Sequence, residues 1–372
     1  MFRHNKGRGM KKRLLQLGGV SALLLAILGL SACESVQFYS QAAIGHSQIM
    51  LNQEPIVSVV KDPNAKPELV RRLKIIQQAR AFAVSELKLP DNGSYRQYVD
   101  LKRPAVTWNV VATKKYSTQP IKHCFPVAGC VSYRGYFKKA AAEAYAEQLR
   151  KQGHDAIVSG ASAYSTLGWF SDPVVSSMLR RSDLDLAGLI FHELAHQQVY
   201  QAGDTAFNES FATSVEFMGI NAWAASQNDA SEDVLAEYQK TKQRSKAVVA
   251  LILKHRQKLS ESYKSVDSSD TAALEKIKTE AFEALQADYK VLRKQGGGSE
   301  GYDRWFTRPL NNASLVLFGD YHGWVDAFEA LFIENDRDWV RFYQAVERLA
   351  NLPKSERTKR LEALKPPSEA LQ

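Results

Sequence analysis

His192-Glu193-Leu194-Ala195-His196 confines this chain to a local geometry that few folds supply, because the HExxH spacing puts two imidazoles one helical turn apart on the same face. The flanking residues support a helix. Ser182 precedes it as an N-cap, Asp183 and Asp185 give an acidic first turn, and Leu186, Leu189, Ile190, Leu194 and Val199 recur at helical spacing. The motif therefore lies on an amphipathic helix, which Gly203 ends. Paired imidazoles with a carboxylate between them have the pattern of a mononuclear zinc hydrolase site, one Zn2+ per chain.

Catalytic zinc takes three protein ligands and leaves a position for water, so His192 and His196 need a third partner. A metzincin extension is excluded, because Val199 and Ala202 stand where its Gly and His would fall. Downstream, Asp204 or Thr205 caps a second helix that carries Glu209 in its second turn, making Glu209 the best third ligand, with Asp204 and Glu216 as competitors. Glu216, two turns further along the same face, is either an acceptor that orients a histidine or a solvated carboxylate. Glu193 sits about 100° around the helix from His192 and so serves as general base, taking a proton from water and returning it to a leaving amine.

The first 32 residues carry six Lys and Arg and no acid before a Leu- and Gly-rich apolar run, the pattern of a secretory signal. Leu30-Ser31-Ala32-Cys33 resembles a bacterial lipobox, which makes Cys33 the lipidated first residue of the mature chain; the alternative is an ordinary cysteine inside a membrane helix. Glu34 in place of Asp favours the outer membrane, facing the periplasm. Cleavage takes six of the +9 formal charges away, and with no basic run of interleaved aromatics left, a nucleic-acid partner is excluded. Cys124 and Cys130 then remain as an even pair around Pro126 and Gly129, which suits a disulfide-closed turn; a zinc knuckle with His123 is the rival.

Strands are predicted at Val106 to Thr113, Cys130 to Phe137 and Ala156 to Ser162, with a helix from Lys138 to Gln152 and helices through Gln41 to Lys88. Trp169 and Phe170 either wall a cleft or pack in the core. Beyond residue 225 the chain is charged and helical, Val234 to Lys258 and Ala272 to Arg293 forming a scaffold. The class is α+β. The expected layout is a single domain over 33–372, with an α/β part at 33–180, the helix pair at 181–225 and a helical part at 226–372.

The motifs His192 to Gln197 (HELAHQ) and Asn208 to Ala212 (NExFA) resemble those of the bacterial predicted aminopeptidase lipoproteins. Similar segments run from Leu87 to Asn92 and through Trp108 to Ala112, Cys124 to Cys130, Tyr133 to Phe137, Ala163 to Phe170 and Asn311 to Ala313, so the resemblance covers nearly the whole mature chain. It implies a thermolysin-like gluzincin core, with a small sheet beside the HExxH helix, a helix-rich C-terminal part, and a peptide substrate. Only 12 residues separate His196 from Glu209, a tighter connection than in thermolysin-like enzymes generally. A gluzincin needs an oxyanion donor opposite the metal; Tyr321 is the first candidate and His322 the second. No GxMEN amine-holding loop is present, which leaves an endoprotease or a metal-stabilised scaffold as alternatives to an aminopeptidase.

Overall fold

The computed structural model describes residues 36–125, 129–163, 165–166, 170–226, 232–319 and 323–365. The signal segment, Cys33, Trp169, Tyr321 and His322 lie outside these residues. Two compact units are present, one ending at Leu51 and the other beginning at Asn52. In the first, residues 36–51 form a helix, α1. Among the described residues no helix is long and apolar enough to cross a membrane.

The second unit is α+β and mostly helical. Its main sheet has the order β6-β3-β7, from β3 (Thr107–Lys114), β6 (Arg134–Tyr136) and β7 (His154–Ala161), all pairings antiparallel. Both faces of β3 are buried, which its Trp-Asn-Val-Val-Ala sequence anticipates. Helix α4 (Lys139–Lys151) packs on β3 and β7, and α10 (Asn312–Gly319) sets Ala313 and Val316 against Val111. A smaller sheet orders β1 (Glu54–Pro55), β2 (Gln97–Val99) and β8 (Val174–Val175). Cys124 and Cys130 are disulfide-bonded across the hairpin of β4 (His123–Phe125) and β5 (Gly129–Val131).

Helix α5 (Asp183–Gln198) carries the HExxH motif and packs between α3 (Pro67–Ser85) and α6 (Thr205–Ser226). It is a central helix and not the amphipathic one its spacing suggests: Leu186, Ala187, Ile190, Phe191, Leu194 and Ala195 are all fully buried. With neighbours on two sides, little of its surface is left for water. Each large apolar side chain so covered contributes roughly 1.5–3 kcal/mol. Close approach to α6 depends on Gly188, where a Cβ would stand 2.4 Å from Ile220 Cδ1 and 3.0 Å from Glu216 Cγ.

The scaffold predicted beyond residue 225 consists of α7 (Glu232–Lys264) and α8 (Thr271–Lys294), packed against each other over Ile252, Leu259, Leu285 and Tyr289. Helices α11 (Val325–Glu334), α12 (Trp339–Ala350) and α13 (Lys354–Leu364) follow, with α11 lying on α6. Asn311 and Asn312 are structural: the Asn311 side chain accepts from the Ser314 N–H at the start of α10, and buried Asn312 donates to the Lys115 carbonyl and accepts from Tyr263.

Candidate metal centre

The ends of α5 and α6 are fixed by local chemistry. Ser182 Oγ accepts from the Asp185 N–H at 3.2 Å, and Asp183 is gripped by Arg71 and Arg72 of α3. Gly203 does not end α5, contrary to expectation. The helix stops at Gln198, and Val199, a β-branched residue, turns into extended backbone at φ −138° and ψ 128°. Gly203, at φ +79°, instead shapes the last step of the turn into α6. Asp204 caps that helix and pairs through Oδ2 with buried Arg357 of α13 at 2.8 Å, so this competitor for the third ligand position is turned toward a different partner. Asn208 closes the turn, accepting from the Gln201 N–H and donating to the Gln201 carbonyl.

These constraints bring His192, His196 and Glu209 together, with one donor atom from each within 4.8 Å of the others. His192 Nε2 stands 3.2 Å from His196 Nε2 and 3.4 Å from Glu209 Oε2, while His196 Nε2 is 3.7 Å from Glu209 Oε1. A four-coordinate ion bonded at about 2.0–2.2 Å separates its donors by roughly 3.3–3.6 Å. The two imidazole nitrogens and the Glu209 carboxylate, through one oxygen to each histidine, are therefore close enough together to share an ion. Their side chains are 15%, 8% and 20% exposed, so the point is enclosed but reachable. Among the described residues this trio is the group suited to hold a metal.

Behind His192, Glu216 Oε2 lies 3.3 Å from Nδ1, at ion-pair distance but not aligned for a hydrogen bond. Lys242 of α7 bridges Glu216 Oε1 at 3.3 Å and Asp185 at 3.1 Å. His196 Nδ1 is buried without a hydrogen-bond partner. Burial acts to lower the His192 imidazole, but the carboxylates of Glu209 and Glu216 outweigh it and raise it well above the usual histidine range. Burial alone would push Glu209 up; the two imidazoles hold it down instead. The carboxylates of Glu209 and Glu216 thus favour positive charge at the imidazoles, whether a proton or a cation supplies it. Glu193, next to the centre and buried, has its carboxyl pushed up by desolvation, partly opposed by the two imidazoles.

A protein-family model described as "Putative aminopeptidase" matches residues 37–361. The chain belongs to this aminopeptidase family. No curated protein and no solved structure matches it. For the family member described here, the matched span includes His192, His196 and Glu209.

Several neighbours of the centre were not legible in the motif. Gln197, the last residue of HELAHQ, donates to Ser94 Oγ and Asp172 Oδ2 and accepts from Asn92, tying α5 to the 91–96 loop. Burial raises Asp172 to about 6 despite its bonds from Thr166, and Glu193 adds to the rise. Tyr95 sits in left-handed backbone at φ +60° and is fully buried, its phenol raised by that burial and then by the charges of Glu193 and Asp172. Burial and then the charge of Glu209 raise the Tyr133 phenol, and Tyr200 is raised in the same way. Among these groups Gln197 falls in the HELAHQ motif and Asn92, Tyr133 and Thr166 in the family segments, whereas Tyr95, Asp172 and Tyr200 lie in none of them. Phe170 is 55% exposed, so it is not part of the core.

Proposed function

We propose that the protein is a zinc-dependent aminopeptidase of gluzincin type, its single metallopeptidase domain spanning 33–372 and held in the bacterial envelope through a lipidated Cys33. The observation that carries this reading is the ligand-like spacing of His192, His196 and Glu209, a His2Glu donor set of the kind that binds catalytic zinc. When bound, the ion supplies Lewis acidity that lowers the pKa of water and polarises a peptide carbonyl. Glu193 accepts the proton of the attacking water and delivers it to the leaving amine; burial raises its carboxyl, which makes it the stronger base for that exchange. Glu216 orients the His192 ring from behind and Lys242 fixes Glu216. An oxyanion donor comes from the Tyr321 and His322 segment or from Tyr133. The outer-membrane, periplasm-facing location rests on the lipobox and Glu34.

The test uses detergent-solubilised full chain. Stoichiometric zinc and cleavage of leucyl-p-nitroanilide are expected, with Glu193→Gln keeping its zinc while turnover falls about 10³-fold or more. Full turnover in that variant, or a protein that takes up no zinc, overturns the reading. Cleavage of N-acetylated peptides in preference to free ones would replace aminopeptidase by endopeptidase. Mass spectrometry of the N-terminus decides lipidation: acylated Cys33 is expected, and an unmodified chain removes the anchor.

A further inference from the structure

Helix α1, over residues 36–51, is set apart by its lack of charge: from Ser35 to Gln53 the chain has no Lys, Arg, Asp or Glu. Other helices meet water with ionic side chains, Lys276, Glu280 and Glu283 on α8 and Glu356, Lys359 and Arg360 on α13. On α1 the exposed side chains are apolar instead, and Val36, Tyr39, Ile44 and Leu51 are each half exposed or more. At 100° per residue these four fall within an arc of about 140°, and the residues between them are the small Ser40, Ala43 and Ser47, all exposed. The result is an uncharged stripe along a helix of roughly 24 Å. Single exposed apolar residues are ordinary on a protein surface, but a contiguous stripe marks a surface that something covers.

The chain just before α1 points to what covers it. Cys33, the lipobox cysteine, stands three residues ahead of Val36, and three residues span at most about 11 Å. A lipidated Cys33 therefore holds the start of α1 within that distance of a membrane surface. We infer that the exposed face of α1 lies along a lipid bilayer, with Val36, Ile44 and Leu51 entering the acyl boundary and Tyr39 at the level of the headgroups. This inference rests on the lipid-anchor reading of Cys33 and deepens it by naming a second contact with the membrane. Acyl chains tether a protein and leave it free to swivel, whereas a helix laid in the interface fixes its direction. At roughly 24 Å, α1 is shorter than the ~30 Å hydrocarbon core, so it lies on the bilayer and does not cross it. With no Lys or Arg, its hold on lipid is apolar and independent of anionic headgroups, unlike that of a basic interfacial helix.

The test uses the full chain, expressed with its leader, purified in detergent and reconstituted into phosphatidylcholine vesicles. With Cys33 acylated and Cys124 bonded to Cys130, Ser47→Cys supplies the sole free thiol, which takes an environment-sensitive fluorophore; Lys359→Cys on α13 is the reference. Lipids brominated on the acyl chain are expected to quench the label at position 47 several-fold more than the label at 359, equally in high salt and with anionic lipid added. Ile44→Glu together with Leu51→Glu, both at exposed positions, should abolish that quenching while Cys33 keeps the protein on the vesicle. A label at 47 quenched no more than the one at 359 overturns the inference, whether water or a second copy of the chain surrounds it. Quenching that high salt removes, or that survives the two glutamates, overturns it as well. Mass spectrometry of the N-terminus keeps the two readings apart. An acylated Cys33 with an unquenched label leaves the anchor standing and removes the α1 contact; an unacylated Cys33 removes the anchor, and the same label in a Cys33→Ala chain then decides α1 by itself.

Discussion

The side chain of Asn208 holds the backbone of Gln201 at two points, its Oδ1 accepting from the N–H at 2.7 Å and its Nδ2 donating to the carbonyl at 2.8 Å. Asn208 thereby gives the Gln201 N–H its acceptor and adds a second donor to a carbonyl that also accepts from the Asp204 N–H at 3.2 Å, and it does so one residue before Glu209. The asparagine of the NExFA motif is thus the device that sets the spacing between the paired imidazoles and their carboxylate.

Asn208→Ala leaves the Gln201 N–H without its acceptor, at roughly 1–3 kcal/mol, while the Gln201 carbonyl keeps the Asp204 N–H at 3.2 Å. Zinc affinity should fall about tenfold or more as Glu209 loses its fixed position, read by competition with a chromophoric chelator. Asn208→Asp should do nearly as badly, since a carboxylate accepts from the Gln201 N–H but repels its carbonyl. Unchanged affinity in both variants would show that the turn is held by other means.

Asp204 and Arg357 form an ion pair whose side chains are 10% and 4% exposed, with Arg357 also donating to the Ala350 and Leu352 carbonyls. Arg357→Met leaves the buried Asp204 charge with only the exposed Lys354 ammonium at 3.5 Å and should cost about 3 kcal/mol in urea denaturation. Adding Asp204→Asn should recover part of that loss, because the buried charge is gone. A double variant no more stable than the single one would mean that the carbonyl bonds, and not the charge pair, carry the contribution.

The parts legible in the sequence were those encoded by short-range spacing. His192 and His196 at i and i+4, and Glu216 seven residues beyond Glu209, follow from helix geometry once the helices are recognised, and the strands around Val110 and Ile157 from β-branched runs. What escaped depends on tertiary contact. Lys242 reaches Glu216 from a helix 26 residues on, and Asp172 meets Gln197 across 25 residues, distances at which no periodicity speaks. The α5 helix looked amphipathic from the spacing of its apolar residues, yet Glu193 and His196 are buried as well. Gly203 drew attention as a helix terminator, a role Val199 took when the backbone extended early.

Gly129, at φ +69°, brings the disulfide hairpin against the turn between α5 and α6: a Cβ there would lie 2.7 Å from the Gly203 N and 3.3 Å from the Ala202 carbonyl carbon. Backbone cannot yield as a side-chain tip can. Gly129→Ala should therefore lose stability by about 2 kcal/mol or more and weaken zinc binding. Gly153→Ala is the control, also left-handed at φ +82° but with nothing within 4 Å, so only the dihedral cost of roughly 1–2 kcal/mol applies and zinc binding stays as in wild type. Equal zinc affinity in the two variants would mean that the hairpin does not help to place Glu209.

Asp172 gives the chain a pH dependence of definite sign. Its carboxyl is raised to about 6 in the folded protein, against 3.8 for the ordinary side chain, with burial as the chief cause. Between those values the native state holds a proton that the unfolded chain has released, so stability falls as pH rises through this range and levels off above it. The full effect is on the order of 3 kcal/mol at neutral pH. Asp172→Asn keeps an oxygen for the Thr166 N–H and removes the titration, so its urea midpoint should be flatter than that of wild type between pH 4 and about 7, with the two curves diverging as pH rises. Parallel curves over that interval would show that Asp172 ionises in the folded protein as easily as in the unfolded chain, and that its place beside Gln197 and Glu193 costs the fold nothing.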